Sequence, residues 1–481
     1  MLKFKIQPKT ELNGTDVIFL IIITFLSFTS RFWVLHNPDA VVFDEVHFGN
    51  FTNWYTMSEF FYDIHPPLGK LVMFLFANLS EYDGSIQFSK YYAQSFHNTQ
   101  YIILRITPAF FSSLCAPLIY LTLRFDSFSP YAAFISSFMI ICDSSLLTEQ
   151  RYILSDGMLH FFCCLFFCVF AYTNSLNPFT CRWIIFMILS GVTLGCACSS
   201  KNTAWGLMVF CGFVQVFQAF QYFGLLDIRA YFSISVRGCL LLLPGLSVYF
   251  ISFFIHFMIL PFSGQGTPYL SPEMKNQLVN RNIVKSELWG RRLSEPSLFK
   301  RTILLSINMH HGNMGILNFH ASQSRPINWP LLTGNYVAFY SSYGKEVNCM
   351  GNALVYYISF FSLIFNLITF MFEKWDITLR YIVGWAISYF PFFLIPRSMF
   401  LYHYLIPLMI GCISAGAAVD RIFPRVWVGI MLVVICLLCL FGFILWSPYS
   451  YGISHLDRKV TIWNDNWIYG DAYHRELRKK N

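Results

Sequence analysis

The sequence is poor in charge for its length. Only 12% of its 481 residues are Asp, Glu, Lys or Arg, whereas soluble proteins average about 25%. Because a soluble fold of this size needs a charged surface, this scarcity excludes an ordinary soluble protein. Hydrophobic residues make up 56% of the chain and the mean hydropathy is +0.52. The composition therefore also excludes a disordered chain and indicates a protein largely surrounded by lipid.

Two other patterns are missing. The 33 Lys and Arg outnumber the 25 Asp and Glu, for a net charge of +8, but they are scattered. Without a basic helix or stripe, we expect no nucleic-acid partner.

Nearly all of the 14 cysteines lie inside apolar runs, and Cys349, in a long polar loop, has no evident partner there. The sequence therefore predicts buried thiols and no disulfide framework.

Eleven apolar stretches approach the roughly 20 residues that cross a bilayer. They predict an all-α polytopic membrane protein with about 11 transmembrane helices, at 17–35, 102–123, 130–145, 157–173, 182–198, 203–222, 238–262, 353–372, 381–396, 399–418 and 426–446. Basic residues precede the first stretch, as in a signal peptide, but no small-residue cleavage site follows. We interpret this stretch as a retained first span.

The distribution of basic residues predicts the orientation. Short connections on one side carry many of the Arg and Lys residues, so the positive-inside tendency places them in the cytoplasm together with the N-terminus. This predicts a cytoplasmic N-tail (1–16), an N-terminal transmembrane region (17–262) that includes a lumenal loop (36–101), a second lumenal loop (263–352), a C-terminal transmembrane region (353–446) and a lumenal tail (447–481).

Ionisable residues are almost absent from the middles of the predicted spans. Arg31 and Arg105 are the exceptions, and both lie towards the predicted lumenal ends. Ion-coupled transporters bury ionisable groups near the membrane midplane. The pattern here instead favours an enzyme that acts at the membrane surface on a lipid-borne substrate. A polytopic transporter or a catalytically idle partner subunit is the alternative.

The first predicted lumenal loop concentrates the chemistry. Asp44 and Glu45 follow an apolar stretch and lie among aromatic residues, which suits a carboxylate of raised pKa that acts as a general base. They would equally suit the N-terminal end of a helix through 46–55, where negative charge is favourable. A metal site is a third interpretation, although the ligand types present lack a tight spacing: Asp44, Glu45, His47, Asp63 and His65.

Several segments, in order along the chain, closely resemble the protein O-mannosyltransferases of the endoplasmic reticulum. The resemblance is carried by the run Phe43-Asp44-Glu45-Val46-His47-Phe48-Gly49 and by the run Asp63-Ile64-His65-Pro66-Pro67-Leu68-Gly69-Lys70. It continues through shorter motifs at 151–156, 194–201, 324–330, 351–352, 389–404 and 447–452. The likeness therefore extends over about residues 15–452.

That resemblance implies a membrane glycosyltransferase of the C-type fold, in the endoplasmic reticulum membrane, with its active site on the lumenal side. The implied donor is dolichyl phosphate mannose, and the implied acceptors are Ser and Thr hydroxyls of secretory-pathway proteins. The family implies a homo- or heterodimer with a related subunit. It implies no tightly bound cofactor, and we do not expect a divalent metal.

The resemblance also implies roles for individual residues. Asp44 matches the catalytic aspartate, with Glu45 as its neighbour. Cations matching the donor or phosphate site are Arg31, Arg105, Lys201 and Arg397. Further candidates in shared motifs are Asp63, His65, Arg151, Asp156 and Arg325. From position alone, the side chains of Arg31 and Arg105 would equally be expected to extend to lipid headgroups.

The reaction itself makes two demands. A phosphate leaving group needs positive charge rather than a general acid, whereas the acceptor hydroxyl must lose a proton to one carboxylate, for which Asp44 is our candidate. A single in-line displacement would invert the anomeric centre.

The chain departs from the family pattern in the second predicted lumenal loop. Most members carry a module of MIR repeats there, and 263–352 leaves too little room for its internal repeats. We therefore expect a shortened loop without that module, so acceptor selection or regulation attributed to the module does not carry over to this chain from the resemblance.

Overall fold

The computed structural model describes residues 11–89, 95–96, 98–279, 296–342, 345–372, 377–453 and 461–467. Helices dominate these residues. In chain order they are α1 (Gly14–Phe32), α2 (Glu45–Met57), α3 (Leu68–Leu79), α4 (Tyr101–Ser113), α5 (Cys115–Phe125), α6 (Pro130–Cys142), α7 (Ser144–Glu149), α8 (Asp156–Asn174), α9 (Cys181–Cys198), α10 (Trp205–Phe223), α11 (Ile228–Ile259), α12 (Pro272–Lys275), α13 (Leu298–Met314), α14 (Ala353–Phe372), α15 (Ile377–Tyr389), α16 (Leu405–Ile422) and α17 (Arg425–Tyr451). Strands β1 (Val337–Ser342) and β2 (Lys345–Cys349) pair antiparallel.

Among these residues, ten helical segments are long and apolar enough to cross a membrane. The prediction of an all-α polytopic protein is thereby confirmed. The predicted span at 130–145 needs correction, because α6 has only 13 residues and rises only about 20 Å. It ends there because the Asp143 carboxylate accepts a hydrogen bond from the backbone N–H of Leu146 at 2.8 Å and starts the short helix α7.

The first helix begins at a capping box. The Asn13 side chain accepts from the backbone N–H of Asp16 at 3.2 Å, and the Asp16 side chain accepts from that of Asn13 at 2.9 Å. Asp16 also accepts from Arg124 at the end of α5, at 2.6 Å. One short polar motif thus starts α1 and joins it to α5.

The helices differ in how much of their surface the protein covers. In an apolar 18-residue window of the segment Leu401–Ile422, which contains α16, 83% of the residues are buried, whereas in such a window of α17 the share is 17%. Helix α16 packs tightly against α6, where a Cβ atom at Gly416 would lie 2.3 Å from the Ala132 carbonyl oxygen. Helices α6, α8 and α16 therefore form the core, and α11 and α17 present apolar surface to the lipid.

The three polar segments predicted to share one side of the membrane contact one another. The backbone N–H of Phe43 donates to the Phe339 carbonyl at 3.1 Å, and that of Phe60 donates to the Phe262 carbonyl at 2.8 Å. The Asn37 amide donates to the Gly452 carbonyl at 2.7 Å. The described parts of residues 36–101 and 263–352 and the start of the tail thus form one layer at one end of the helix bundle. Residues 1–10 and 468–481 of the predicted N-tail and C-terminal tail lie outside the described residues.

Within the described part of the second loop, the regular structure is α12, α13 and the β1–β2 hairpin. The shortened loop at 263–352 stays a prediction, because residues 280–295 are outside the described part.

Candidate functional site

A cavity opens where the polar layer meets the helix bundle. Its volume is about 380 Å³, within the range of small-molecule sites. Its lining combines residues of the first polar loop, the starts of the spans and the later loop: Phe43, Asp44, His47, Phe48, Phe51, Tyr62, Asp63, Ile64, His65, Glu149, Leu154, Asp156, Lys201, Ile316, His320, Arg397, Phe400, Tyr402 and His403. Six of these nineteen side chains are Asp, Glu, Lys or Arg, so the lining is rich in charge compared with the chain as a whole, in which 12% of residues are charged.

Asp44 sits at the entrance of helix α2. The preceding residue, Phe43, has a positive φ of 47° and stacks on Phe339 with ring centroids 4.2 Å apart. This turn places Asp44 at the N-cap position of α2, but its carboxylate makes no capping hydrogen bond. Among the described residues no hydrogen bond or ion pair occupies that carboxylate. The helix of the alternative interpretation exists, with Asp44 at its N-cap position and Glu45 in its first turn.

Burial changes the acidity of Asp44. Removal from water raises the pKa of the carboxyl, while the positive charge of His47 and of Lys201 offsets part of this effect. The net direction is upward. A carboxylate of raised pKa is a stronger proton acceptor than an ordinary aspartate, as general-base chemistry requires.

Two lysines lie beside the cavity, and each is paired with an aspartate that lines it. The Lys201 ammonium lies 2.9 Å from an Asp156 carboxylate oxygen, and Lys70 pairs with Asp63. Burial disfavours the Lys201 ammonium, but the charge of Asp156 and its hydrogen bonds outweigh this and raise the pKa of Lys201. Lys201 therefore stays charged inside the cavity wall.

Arg397 is the other cation of the lining. It donates hydrogen bonds to the Asn313 side-chain oxygen and to the Ser398 carbonyl. In the part of the chain that the structure describes, no carboxylate pairs with it. Its guanidinium has five N–H donors, so it retains donors for an anion in the cavity.

His65 contributes a neutral imidazole. Its Nδ1 atom is buried and has no hydrogen-bond partner within the described residues. Burial lowers the pKa of this histidine to about 3, although Asp63 opposes the shift. At neutral pH the ring is therefore uncharged and available for a polar ligand group.

Glu45 turns away from the cavity lining. It is fully buried and takes both hydrogen bonds from Arg105, at 2.7 and 2.9 Å. It also accepts the backbone N–H groups of Val42 at 2.8 Å and of Ile153 at 3.0 Å. The Arg105 guanidinium in turn donates to the Pro38 carbonyl at 2.8 Å. This pair ties the first polar loop to the segment between α7 and α8.

Three further arginines predicted from the sequence also lie outside the lining. Arg31 is buried and donates to the Gln150 side chain at 3.0 Å and to the Ile140 carbonyl at 3.0 Å. Arg151 donates to the Trp33 carbonyl at 2.7 Å. Arg325 is exposed. The structure thus brings together Asp44, Asp63, His65, Asp156, Lys201 and Arg397, and it places Glu45, Arg31, Arg105, Arg151 and Arg325 elsewhere.

The sequence interpretation missed Glu149. This residue ends α7 and lines the cavity. It follows a stretch, 128–148, in which Asp143 is the only residue with a charge. An acidic residue within such an apolar stretch was the available signal, because lipid-surrounded segments seldom retain one without a role.

The carboxylates and histidines considered as metal ligands make other contacts in the structure. Asp63 pairs with Lys70 and Glu45 with Arg105. Among the described residues, no group of three or more His, Cys, Asp or Glu is arranged to hold a metal ion.

Two family models match most of the chain. A family model described as dolichyl-phosphate-mannose-protein mannosyltransferase matches residues 21–261. A second, described as the C-terminal four-TMM region of protein-O-mannosyltransferase, matches residues 298–468. The matches cover both transmembrane regions.

Curated relatives carry the same description. Dolichyl-phosphate-mannose–protein mannosyltransferase 3 of Saccharomyces cerevisiae is 34% identical over 271 residues, which covers 54% of this chain and 36% of the relative. Protein mannosyltransferase 1 of Candida albicans is 31% identical over 281 residues, 58% of this chain and 32% of the relative. The chain therefore covers about a third of the length of the curated relatives that it matches.

Solved structures show the fold. The chain superimposes on the S. cerevisiae Pmt1–Pmt2 protein O-mannosyltransferase complex bound to the sugar donor with a TM-score of 0.86, at 19% identity, over 98% of this chain and 96% of that one. It superimposes on the Archaeoglobus fulgidus oligosaccharyltransferase with a TM-score of 0.54, at 14% identity, over 92% and 54%. The C-type membrane glycosyltransferase fold is thereby confirmed, and the chain belongs to the dolichyl-phosphate-mannose–protein mannosyltransferase family.

Proposed function

We propose that this protein transfers mannose from dolichyl phosphate mannose to Ser and Thr hydroxyls of secretory-pathway proteins. The observation that carries the proposal is that one cavity contains an unpartnered carboxylate, Asp44, together with two cations, Lys201 and Arg397. Family membership supplies the donor and acceptor classes. The cavity supplies the two kinds of group that the reaction needs.

Asp44 activates the acceptor. A Ser or Thr hydroxyl is a weak nucleophile and must lose its proton as it attacks the anomeric carbon. Within the described residues no side-chain partner competes for the Asp44 carboxylate, and burial raises its pKa. The proton moves from the hydroxyl to Asp44 while the bond from the anomeric carbon to the phosphate oxygen breaks. Attack from the opposite face inverts the anomeric configuration.

Arg397 and Lys201 meet the departing phosphate. Negative charge develops on the dolichyl phosphate as the bond breaks, and fixed cations in a site shielded from water stabilise it strongly. Arg397 retains donors that no carboxylate among the described residues occupies. Lys201 shares its ammonium with Asp156 and lies in the same wall.

The predicted donor-site residues outside the lining act at a distance. We assign Arg31, Arg105 and Glu45 to positioning, because each binds the segment 140–153 or the first polar loop and none lines the cavity. Arg151 acts in the same way by binding the Trp33 carbonyl. Asp63 and His65 belong to the wall, where His65 offers a neutral imidazole to the ligand.

The setting follows from the family. We propose that the protein works in the endoplasmic reticulum membrane with the cavity on the lumenal side, where the acceptor proteins and the donor sugar are present. We also propose that it pairs with a related subunit, since the solved complex of this fold contains Pmt1 and Pmt2. The reaction uses no tightly bound cofactor.

Purified protein in nanodiscs tests the proposal. Dolichyl phosphate mannose carrying labelled mannose is supplied with a Ser/Thr-rich peptide, and label transferred to the peptide is measured, with the protein alone and co-purified with a related subunit. Transfer by either preparation supports the proposal. No transfer by either, with normal folding, overturns it in favour of an idle subunit or a transporter.

A further inference from the structure

Glu149 is a buried acid that the reaction scheme above does not use. It is 2% exposed and lines the cavity from the end of α7. The neighbouring Cys349 thiol, a weak donor, hydrogen-bonds to the Ser145 carbonyl at 3.9 Å. The Oε1 atom of Glu149 is buried and has no hydrogen-bond partner within the described residues. Leaving such an atom unsatisfied destabilises the protein, and a ligand group that bonded to it would recover the loss.

The surrounding structure fixes Glu149 firmly. Helix α7 starts at the Asp143 side chain, which accepts the Leu146 N–H. Directly after Glu149, the Gln150 side chain accepts two hydrogen bonds from Arg31, at 3.0 and 3.3 Å. Three residues later, Glu45 accepts the Ile153 N–H. Both ends of this segment are therefore anchored, and the position of Glu149 is enforced by the buried arginine network.

The charges around Glu149 favour its protonated form. It faces Asp44 and Asp156, whose negative charges disfavour ionisation of Glu149. The positive charge of Lys201 favours ionisation, but Lys201 is already paired with Asp156. Among the described residues, the other titratable groups that face it are the Cys349 thiol and the Tyr402 phenol. Burial, with Asp156, raises the pKa of Glu149 well above that of an ordinary glutamate.

A neutral acid is a donor suited to a neutral acceptor. The phosphate of the donor is an anion and is matched by the two cations of the lining, whereas the sugar offers uncharged hydroxyls. We propose, resting on the proposed function, that Glu149 is a sugar-recognition residue: as a neutral carboxylic acid it donates a hydrogen bond from its free oxygen to a hydroxyl of the bound mannosyl group. Glu149 contributes to donor selection, in a role separate from that of Asp44.

Two variants isolate this contact. Glu149→Gln retains a donor of nearly the same shape, and Glu149→Leu removes it. Binding is measured with two probes, dolichyl phosphate mannose and dolichyl phosphate without the sugar, in nanodiscs. Glu149→Leu is expected to bind the mannosylated lipid about 10-fold more weakly and to bind dolichyl phosphate as the wild type does. Glu149→Gln is expected to bind both lipids normally.

A pH series gives an independent measurement. The affinity of the wild type for the mannosylated lipid falls as the pH rises through the raised pKa of Glu149, because the ionised acid has no proton to donate. In Glu149→Gln this dependence disappears. The thermal unfolding midpoint of Glu149→Leu is not lowered, since an unsatisfied buried acid has been removed. Glu273→Gln, in an exposed ion pair with Lys300, is the matched control and changes nothing.

The outcomes separate this inference from the proposed function. Equal loss of affinity for both lipids, or no loss for either, in Glu149→Leu overturns the inference even when mannose transfer is normal. A pH series that is the same in the wild type and in Glu149→Gln also overturns it. Sugar-dependent loss of binding in a protein that transfers no mannose retains the inference and rejects the proposed function.

Discussion

Two groups of ionisable side chains lie close together in this protein and differ in how far their hydrogen bonds are satisfied. Behind the cavity, Glu45 accepts four hydrogen bonds and Arg105 is fully buried against it. In the cavity lining, the carboxylates of Asp44 and Glu149 and the guanidinium of Arg397 keep unused hydrogen-bonding capacity among the described residues.

The contrast separates structural from ligand-binding charge. Unsatisfied buried polar groups cost stability, so a fold retains them where a ligand completes their hydrogen bonds. Saturated groups gain nothing from a ligand and hold the backbone instead. We therefore expect variants in the lining to lose activity without unfolding, and variants in the network behind it to lose stability.

The largest effect is expected at Asp44. Asp44→Asn removes the proton acceptor and should lower the turnover rate by about 100- to 10,000-fold, while the unfolding midpoint stays the same or rises, because a neutral amide is easier to bury. Both are measured on purified protein with the labelled-donor assay. Asp227→Asn, in an exposed ion pair with Arg229, is the control. Unchanged transfer by Asp44→Asn would remove the catalytic assignment.

The next largest effect is on stability. Arg105→Leu leaves Glu45 charged and unpaired in the interior, at a cost of about 3–5 kcal/mol. Thermal unfolding in nanodiscs should show a clearly lower midpoint, and the double variant Arg105→Leu with Glu45→Leu should recover part of it. A single variant as stable as the wild type would contradict the structural role of this pair.

A smaller effect is expected at Arg397. Arg397→Gln removes a charged hydrogen-bond donor and should raise the KM for dolichyl phosphate mannose by about 10- to 100-fold, with little change in unfolding. Arg325→Gln is the matched control, because Arg325 is exposed and outside the lining. Equal KM values for the two variants would place the donor phosphate elsewhere.

The pH dependence of mannose transfer tests the assignment of Asp44 in the cavity lining. Burial raises the pKa of Asp44, and only the ionised form accepts a proton. Transfer should therefore fall as the pH drops through that raised pKa, at a higher pH than for an ordinary aspartate. The profile of kcat/KM against pH checks this. If kcat/KM fell only near the usual pKa of an aspartate, Asp44 would not be the group that titrates.

Chelation should have the smallest effect. Since Arg397 and Lys201 are proposed to meet the phosphate charge, no metal is required for the leaving group. Transfer measured after EDTA treatment and buffer exchange should equal that of untreated protein. Loss of activity that added Mg²⁺ or Mn²⁺ restores would assign the phosphate charge to a metal instead.

Local sequence features predicted much of the fold. An apolar run of sufficient length is a property of consecutive residues, so most spans were found within a few positions. The stretch at 130–145 was harder, because Asp143 starts a new helix through a hydrogen bond that hydropathy does not reveal. The Asp44 motif was likewise visible as a sequence of adjacent residues.

The site could be predicted only in part. Sequence motifs identified Asp44, Lys201 and Arg397, which line the cavity. The same motifs also assigned Arg31 and Arg105 to the donor site, although neither lines the cavity. Whether a charge faces a cavity or a partner depends on contacts between distant residues: Glu45 meets Arg105 60 positions away, and Arg31 meets Gln150 119 positions away. No local pattern encodes such pairing.

By itself, the sequence determined that the chain is a helical membrane protein with its chemistry gathered in a few polar segments, because composition and spacing along the chain decide solvation. The tertiary structure alone decided which of those charges are already satisfied. Hydrogen bonding depends on atoms within about 3 Å, and the fold, rather than the order of residues, brings those atoms together.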